Sequence, residues 1–170
     1  RAACAPTSGR RAFPSFSSPG AGKTSTILST IGQLEGTLRF GVLEADIDSM
    51  VDAEKVAAEG ISAVQLRTGG FCHLDAAMVA RGLEGLDLGG LDVVIIENVG
   101  NLVCPAEFDT GAHVKVMILS VPEGDDKPLK YPLMFSLCDV LLVNKIVVTI
   151  VSIALLYAFW SAARRRDATP

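Results

Sequence analysis

Residues 68–79, TGGFCHLDAAMV, place Cys72 directly beside His73. A thiolate and an imidazole are ligands that Zn²⁺ and Ni²⁺ prefer, and Cys104 offers a second sulfur farther along the chain, in ENVGNLVCP. If all three lie on loops that follow strands of one parallel sheet, they can converge at one edge. A closed zinc site has four ligands, so three predict an open position or a site shared between two chains. The alternative is two buried thiols and a histidine with a local hydrogen bond.

Residues 17–24, SSPGAGKT, resemble the phosphate-binding pattern G-x-x-x-x-G-K-[ST], with Ser17 in place of the first glycine. Glycines let backbone N–H groups converge on phosphate oxygens at a helix N-terminus. Lys23 would reach the β- and γ-phosphates, and the Thr24 hydroxyl would bind Mg²⁺. The alternative is a glycine-rich turn with a capping lysine. We assign nucleotide contacts to Gly20, Ala21, Gly22, Lys23, Thr24 and Ser25.

Acidic residues follow two apolar stretches of the chain. Asp46 follows a short strand candidate, and Glu97 follows LDVVII and begins the turn ENVG. Phosphoryl transfer needs carboxylates that hold Mg²⁺ and orient the attacking water. We therefore assign Asp46 and Glu97 as catalytic groups and Mg²⁺ ligands, and Gly100 as a backbone N–H that meets the γ-phosphate. The alternative, solvated loop acids, is the interpretation we favour for Asp48.

The segments that must position these residues alternate between helix and strand patterns. Helical spacing covers residues 23–34, 49–59 and 74–86, and strand patterns cover residues 38–43, 61–66, 91–96, 114–121 and 139–144. Strands separated by helices, several of them apolar throughout, predict an α/β fold of the P-loop NTPase type: a mostly parallel sheet with helices on both faces.

The composition favours one intracellular domain. A chain of 170 residues can form one domain with a sizeable core, and a net charge of −4 argues against nucleic-acid binding. Four widely spaced cysteines fit thiols that stay reduced. Residues 1–16 are basic and free of acidic residues, which predicts a disordered leader or the remnant of a transit peptide. Pro14 makes RAFPSF a poor first strand.

The C-terminal segment differs in character. Residues 146–163 carry no charge over about 18 positions, near the minimum for a bilayer span, and three arginines follow. This pattern predicts a membrane helix; the alternatives are a buried segment or a stretch foreign to the fold. We thus divide the chain into a leader (1–16), a P-loop domain (17–146) and an atypical apolar C-terminal helix (147–170), with the parallel sheet truncated at its C-terminal end.

Five strings occur in order: SSPGAGKT, TGGFCHLDAAMV, IENVGNLVCPAEFD, LSVPEGDDKPLKYPLMF and LLVNKI. Together they resemble the HypB family of hydrogenase nickel-incorporation GTPases over residues 17–146. The resemblance implies a SIMIBI-class P-loop GTPase that dimerises around nucleotide and helps deliver nickel to the large subunit of [NiFe]-hydrogenases. It also implies GTP or GDP, Mg²⁺ and Ni²⁺ or Zn²⁺ as cofactors, together with nickel-delivery partner proteins and a cytoplasmic location. Membrane association through residues 146–163 is a further expectation, which comes from the apolar segment and not from the resemblance.

The resemblance also implies roles for individual residues. Serine is normal at the first P-loop position of that family, as at Ser17. Asp46 matches the switch I acid, although the family usually has glycine at the position of Ala45. The remaining matches are Lys23 and Thr24 for phosphate and Mg²⁺, Glu97 and Gly100 for the switch II turn, and Cys72, His73 and Cys104 for metal ligands shared at the dimer interface. In the related urease accessory GTPase the metal pair is Cys-Pro-His, so the adjacent Cys-His pair argues against that family.

The guanine-specificity motif N-K-x-D is incomplete. Asn144 and Lys145 begin it, but Val147 stands where the family has aspartate. That carboxylate accepts two hydrogen bonds from guanine, and its loss costs about 2–5 kcal/mol of base binding. This leaves GTPase activity uncertain and defines a second hypothesis: a non-catalytic or membrane-tethered remnant that binds nucleotide and metal weakly.

Overall fold

A computed structural model describes residues 11–46 and 56–167 of the chain. Within these residues six strands form one sheet: β1 (Arg11–Phe16), β2 (Phe40–Asp46), β3 (Ser62–Arg67), β4 (Val93–Glu97), β5 (Val116–Ser120) and β6 (Val140–Asn144). The strand order is β3-β2-β4-β1-β5-β6, and every neighbouring pair is parallel. The predicted α/β fold with a parallel sheet is confirmed.

The helices of the described residues are α1 (Lys23–Leu34), α2 (Ala76–Leu83), α3 (Cys104–Glu107), α4 (Lys127–Lys130), α5 (Pro132–Leu137) and α6 (Ile146–Asp167). Single 3₁₀ turns cover Leu88–Gly90 and Val121–Glu123. The predicted first helix has the bounds of α1. The predicted second helix, 49–59, lies largely outside the described residues, of which 56–58 are helical.

Around β2 the sheet is covered on both faces, as the alternation of side chains along this strand illustrates. Val42 packs with Ile27 and Ile31 of α1, whereas the next residue, Leu43, packs with Val79 of α2. Because successive strand residues point to opposite faces, one strand contributes to two separate cores. Both Val42 and Leu43 are fully buried, which explains why these successive residues are both apolar rather than alternating with polar ones.

The first strand departs from the sequence-based prediction. Residues 11–16, which we assigned to a leader, form β1 and lie in the middle of the sheet, between β4 and β5. Pro14 aligns with Ile96 of β4, and pairing with β5 begins only at Ser15. The β1–β5 ladder therefore does not require the N–H that proline lacks. The described domain consequently begins before residue 17.

The C-terminal apolar segment is helical, since α6 covers Ile146–Asp167. The predicted membrane span over residues 146–163 is not confirmed: among the described residues, no helix is long and apolar enough to cross a membrane.

Candidate functional site

The phosphate-binding loop connects β1 to α1, where the sequence pattern predicts it. The side chain of Lys23 donates a hydrogen bond to Ser17 Oγ at 3.1 Å, so the lysine lies folded along the loop. Gly22 precedes α1 with φ of 95°, and a Cβ added there would lie 2.6 Å from Asn144 Nδ2. Only glycine satisfies both the left-handed backbone and this close approach. Ser25 follows on the exposed side of the helix.

Thr24 and Glu97, two of the predicted Mg²⁺ ligands, lie side by side. The hydroxyl of Thr24 donates to Glu97 Oε1 at 2.9 Å, and Glu97 is 2% exposed at the end of β4. Glu44 of β2 is also buried and lies beside Glu97 in the strand register. Hydroxyl and carboxylate oxygens are the ligands that Mg²⁺ prefers, so this pair fits the ion.

Sequence reasoning counted Glu44 among the acids that follow the second strand candidate and gave it no role in the site, whereas the structure places it inside β2. The available signal was a carboxylate next to apolar strand residues. Because such a residue is almost never buried without a partner, its position indicates a role. Asp46, the predicted switch I acid, is the last residue of β2 and pairs in register with Arg67. Asp48 lies outside the described residues.

The predicted switch II turn touches the phosphate loop. A Cβ added to Gly100 would lie 2.9 Å from the backbone nitrogen of Pro19 and 3.0 Å from its Cα. Any larger residue would therefore push the two loops apart. This contact places the backbone of the ENVG turn against the loop that would hold the phosphates.

The two residues that begin the guanine motif are bonded to the same loop. Asn144 Nδ2 donates to the carbonyl of Ala21 at 2.9 Å, and Lys145 Nζ donates to the carbonyl of Gly20. Lys145 has a left-handed backbone, with φ of 60°. Val147 is 71% exposed in the first turn of α6. The end of β6 is thus attached to the phosphate loop, while the guanine-recognising carboxylate is replaced by an apolar side chain.

Cys72 and Cys104 come together across two loops. Cys72 lies between β3 and α2, Cys104 begins α3, and their sulfurs are 2.7 Å apart as free thiols. The hydrogen bond between the two sulfurs is the main reason that the pKa of Cys104 is raised; burial raises it further, and a hydrogen bond with Asn101 lowers it. Two sulfurs on one metal ion, each about 2.3 Å from it, would lie about 3.7 Å apart. A modest opening of this pair would therefore hold a soft metal.

His73 does not join the two sulfurs. Its ring stacks on Phe108, with centroids 3.6 Å apart and an interplanar angle of 15°, and the edge of Phe71 approaches it at 5.8 Å. Its Nδ1 is buried without a hydrogen-bond partner among the described residues. Among all the residues that the structure describes, no three from His, Cys, Asp and Glu are grouped closely enough to hold a metal. For His73 to join the two sulfurs as a ligand, its ring or the sulfurs must move.

Asn98 connects the cysteine loop to the switch II turn. It is fully buried, and its Oδ1 accepts hydrogen bonds from the backbone N–H of Leu74 at 3.2 Å and of Val99 at 2.8 Å. Leu74 follows the Cys-His pair directly, and Val99 lies inside ENVG. One side chain therefore holds the loop of the metal-binding candidates and the predicted switch II turn in a fixed relation.

Comparison with known proteins places these loops in a family. Residues 16–155 match the family described as CobW/HypB/UreG, nucleotide-binding domain. The chain is 55% identical over 132 residues to the hydrogenase maturation factor HypB of Azotobacter chroococcum, a match that covers 76% of this chain and 42% of that protein. It spans about half the length of the curated relatives it matches.

Two solved structures resemble the fold closely. HypB from Helicobacter pylori in complex with nickel superposes with a TM-score of 0.79 at 41% identity, covering 84% of this chain and 67% of that one. HypB from Archaeoglobus fulgidus gives 0.76 at 37% identity, covering 84% and 70%. The chain therefore belongs to the CobW/HypB/UreG nucleotide-binding domain family and, within it, to the HypB hydrogenase maturation factors.

Proposed function

We propose that this chain is a GTP-binding and GTP-hydrolysing domain that holds nickel for insertion into [NiFe]-hydrogenase during maturation. The observation that carries the proposal is the Asn98 contact, because it joins a phosphate-binding turn to a paired-thiol loop. A relative solved in complex with nickel supports nickel as the cargo. Zn²⁺ as the alternative to Ni²⁺ at the same ligands and a cytoplasmic location are parts of the same proposal.

In the proposed reaction, water attacks the γ-phosphorus of GTP and the bond to the β-phosphate oxygen breaks, which leaves GDP and phosphate. Lys23 leaves Ser17 Oγ and neutralises charge on the β- and γ-phosphates. Thr24 and Glu97 would hold Mg²⁺, with Asp46 as a further acid, and the N–H of Gly100 would meet the γ-phosphate. Each group stabilises charge or positions the water, which is the main task in phosphoryl transfer.

The metal step of the proposal uses Cys72 and Cys104 as thiolates, with His73 entering after its ring leaves Phe108. Two thiolates leave the coordination shell incomplete, so a second chain would supply the remaining ligands. A homodimer formed around nucleotide would bring six candidate ligands together from two chains. The acceptor of the nickel would be the hydrogenase large subunit, reached with nickel-delivery partner proteins.

Lys23→Ala tests the nucleotide part of the proposal. Loss of a charge-assisted contact to phosphate is expected to weaken binding of a fluorescent GTP analogue by about 10- to 100-fold. Lys127→Ala, which removes a lysine of α4 far from the loop in sequence, serves as the matched control. Equal affinities for wild type, Lys23→Ala and Lys127→Ala in a fluorescence titration would contradict the assignment of the loop.

Asn98→Ala tests the link between the two loops. The substitution leaves two buried backbone N–H groups without an acceptor. Each unsatisfied group costs about 1–3 kcal/mol, so the free energy of unfolding should fall. The nickel affinity of wild type should differ between the GTP-analogue-bound and GDP-bound states by about 5- to 150-fold, and this ratio should approach one in the variant. Asn98→Asp keeps the oxygen acceptor and should retain most of the ratio in isothermal titration. An undiminished ratio in Asn98→Ala would remove Asn98 from the coupling.

The second candidate function is a non-catalytic family member that binds nucleotide and metal weakly. The exposed Val147 at the guanine position is the observation that favours it. The two candidates differ in base selectivity: the GTPase prefers GTP over ATP, and the second candidate binds both alike. Parallel titrations with fluorescent GTP and ATP analogues in the presence of Mg²⁺ separate them.

A further inference from the structure

An apolar groove lies on the face of the sheet that carries α1. It encloses a cavity of about 250 Å³, and its lining is almost wholly apolar. The lining includes Phe13, Leu34, Val116, Ile118 and Leu142. None of the residues that the structure places around it is charged. Such a surface is unfavourable in water unless something covers it.

The part of the groove that lies over β1, β5 and β6 has about the width of one helix. The helix α1 forms one of its walls, and residues of β2 and β4 also line it. Two strand spacings amount to about 10 Å, close to the diameter of a helix with its side chains. Its outer wall belongs to β6, where Leu142 is 39% exposed. The missing cover is therefore one apolar helix.

The chain carries an apolar helix that needs a partner surface. In the part of α6 whose side chains the structure describes, the exposed apolar residues are Ile146, Val147, Val148, Ile150, Val151, Ile153, Leu155, Leu156 and Tyr157. They point in every direction around the helix rather than along one stripe. A helix that is apolar on all sides belongs inside a protein interior or a comparable environment.

The connection before α6 prevents this helix from covering its own groove. Only Lys145 separates the end of β6 from the start of α6, whereas a helix that folds back over its sheet follows a connection of about 2–6 residues. Asn144 and Lys145 are also bonded to the phosphate loop, which fixes the direction in which the chain leaves the sheet. Folding back would unwind the first turn of α6 and break these contacts.

We propose that two copies of the chain exchange α6, so that each helix docks in the apolar groove of the other copy. The exchange is reciprocal and closes as a two-fold symmetric dimer, with two identical helix–groove contacts. The helix–groove contact includes neither the phosphate loop nor the paired thiols and needs no bound nucleotide or metal, so the proposal goes beyond the proposed function and does not depend on it. A dimer of this kind forms without nucleotide or metal.

Sedimentation of the full chain without nucleotide and in the presence of a chelator tests the proposal. Wild type should be a dimer at micromolar concentration. Leu142→Lys in the groove and Ile153→Lys on the helix place a charge in both contacts of the dimer, so each should weaken dimerisation by about 100-fold or more. Both positions are exposed in the single chain, which keeps the variants folded. Leu129→Lys, at an 85% exposed leucine of α4, is the matched control and should remain dimeric.

A mixture of the two variants makes the test specific. Leu142→Lys supplies an intact helix and Ile153→Lys an intact groove, so a mixed dimer regains one apolar contact and should form more readily than either variant alone. A monomeric wild type would overturn the proposal. Sensitivity to Ile153→Lys without sensitivity to Leu142→Lys would also overturn it, in favour of direct helix–helix pairing. Binding of monomers to phosphatidylcholine vesicles through α6 would overturn it in favour of a lipid surface.

Discussion

Replacing Cys104 by alanine is expected to remove most of the tight nickel binding of this chain while leaving its fold intact. The sulfurs of Cys72 and Cys104 are the two candidate ligands that the structure brings together, 2.7 Å apart. Metal sites with four ligands bind with about 10–16 kcal/mol, so losing one of only two converged thiolates should weaken binding by about 100-fold or more. The expected result is a nickel affinity too weak to compete with a mild chelator.

The fold should survive because Cys104 is half-buried at the start of the four-residue helix α3 and lies outside the three main core clusters. Cys138→Ala is the matched control. Burial raises the pKa of the Cys138 thiol, which donates to the carbonyl of Phe135 and packs against the core cluster around Met134. This control should leave nickel affinity unchanged in a chelator competition, with thermal unfolding followed in parallel. Unchanged affinity in the Cys104 variant would remove the paired thiols from the metal site.

His73→Ala then separates two versions of the site. If the ring leaves Phe108 when the metal binds, this variant should lose nickel affinity nearly as much as Cys104→Ala does. If the ring stays in its stack, the variant should lose much less, because the metal would rest on the two sulfurs. The ultraviolet absorption of the sulfur-to-nickel charge transfer reports thiolate ligation directly in both variants.

Sequence patterns predicted the fold where one physical signal dominated. The apolar runs before Glu97 and before Val121 became strands β4 and β5, which lie inside the sheet and are mostly buried, as such runs require. The run before Lys145 became β6, an edge strand whose apolar side chains are exposed. The first strand could not be predicted because Pro14 contradicts the local pattern. Its place beside β4 depends on pairing with residues about eighty positions away, which local propensity does not encode.

The candidate site was predictable in its location and less so in its geometry. Loops that follow parallel strands meet at one edge, which is why Cys72 and Cys104 approach each other. The direction of the His73 ring depends instead on Phe108, from a distant loop, and no spacing rule contains that contact. Asn98 was not recognised either, because a buried amide between two loops has no signature in a single sequence.

Val147→Asp is expected to create or strengthen a preference for GTP over ATP. A carboxylate at this position would accept two hydrogen bonds from the guanine base, which corresponds to about 2–5 kcal/mol and therefore to roughly 30-fold or more in GTP affinity. Adenine offers no matching pair of donors, so ATP affinity should not rise. Asn144 and Lys145 already lie against the phosphate loop, so the rest of the motif is in position.

The substitution should not disturb the fold, because Val147 is 71% exposed and an acid in the first turn of a helix is favourable. Val148→Asp, at a 60% exposed neighbour, adds the same charge to the same turn without the motif spacing and is the matched control. Fluorescent-nucleotide titrations should show a gain in GTP affinity for the first variant alone. An equal gain in both variants would mean that charge, not base recognition, is responsible. No gain in either would mean that the base does not lie beside this turn, and the chain would then bind nucleotide through its phosphates alone.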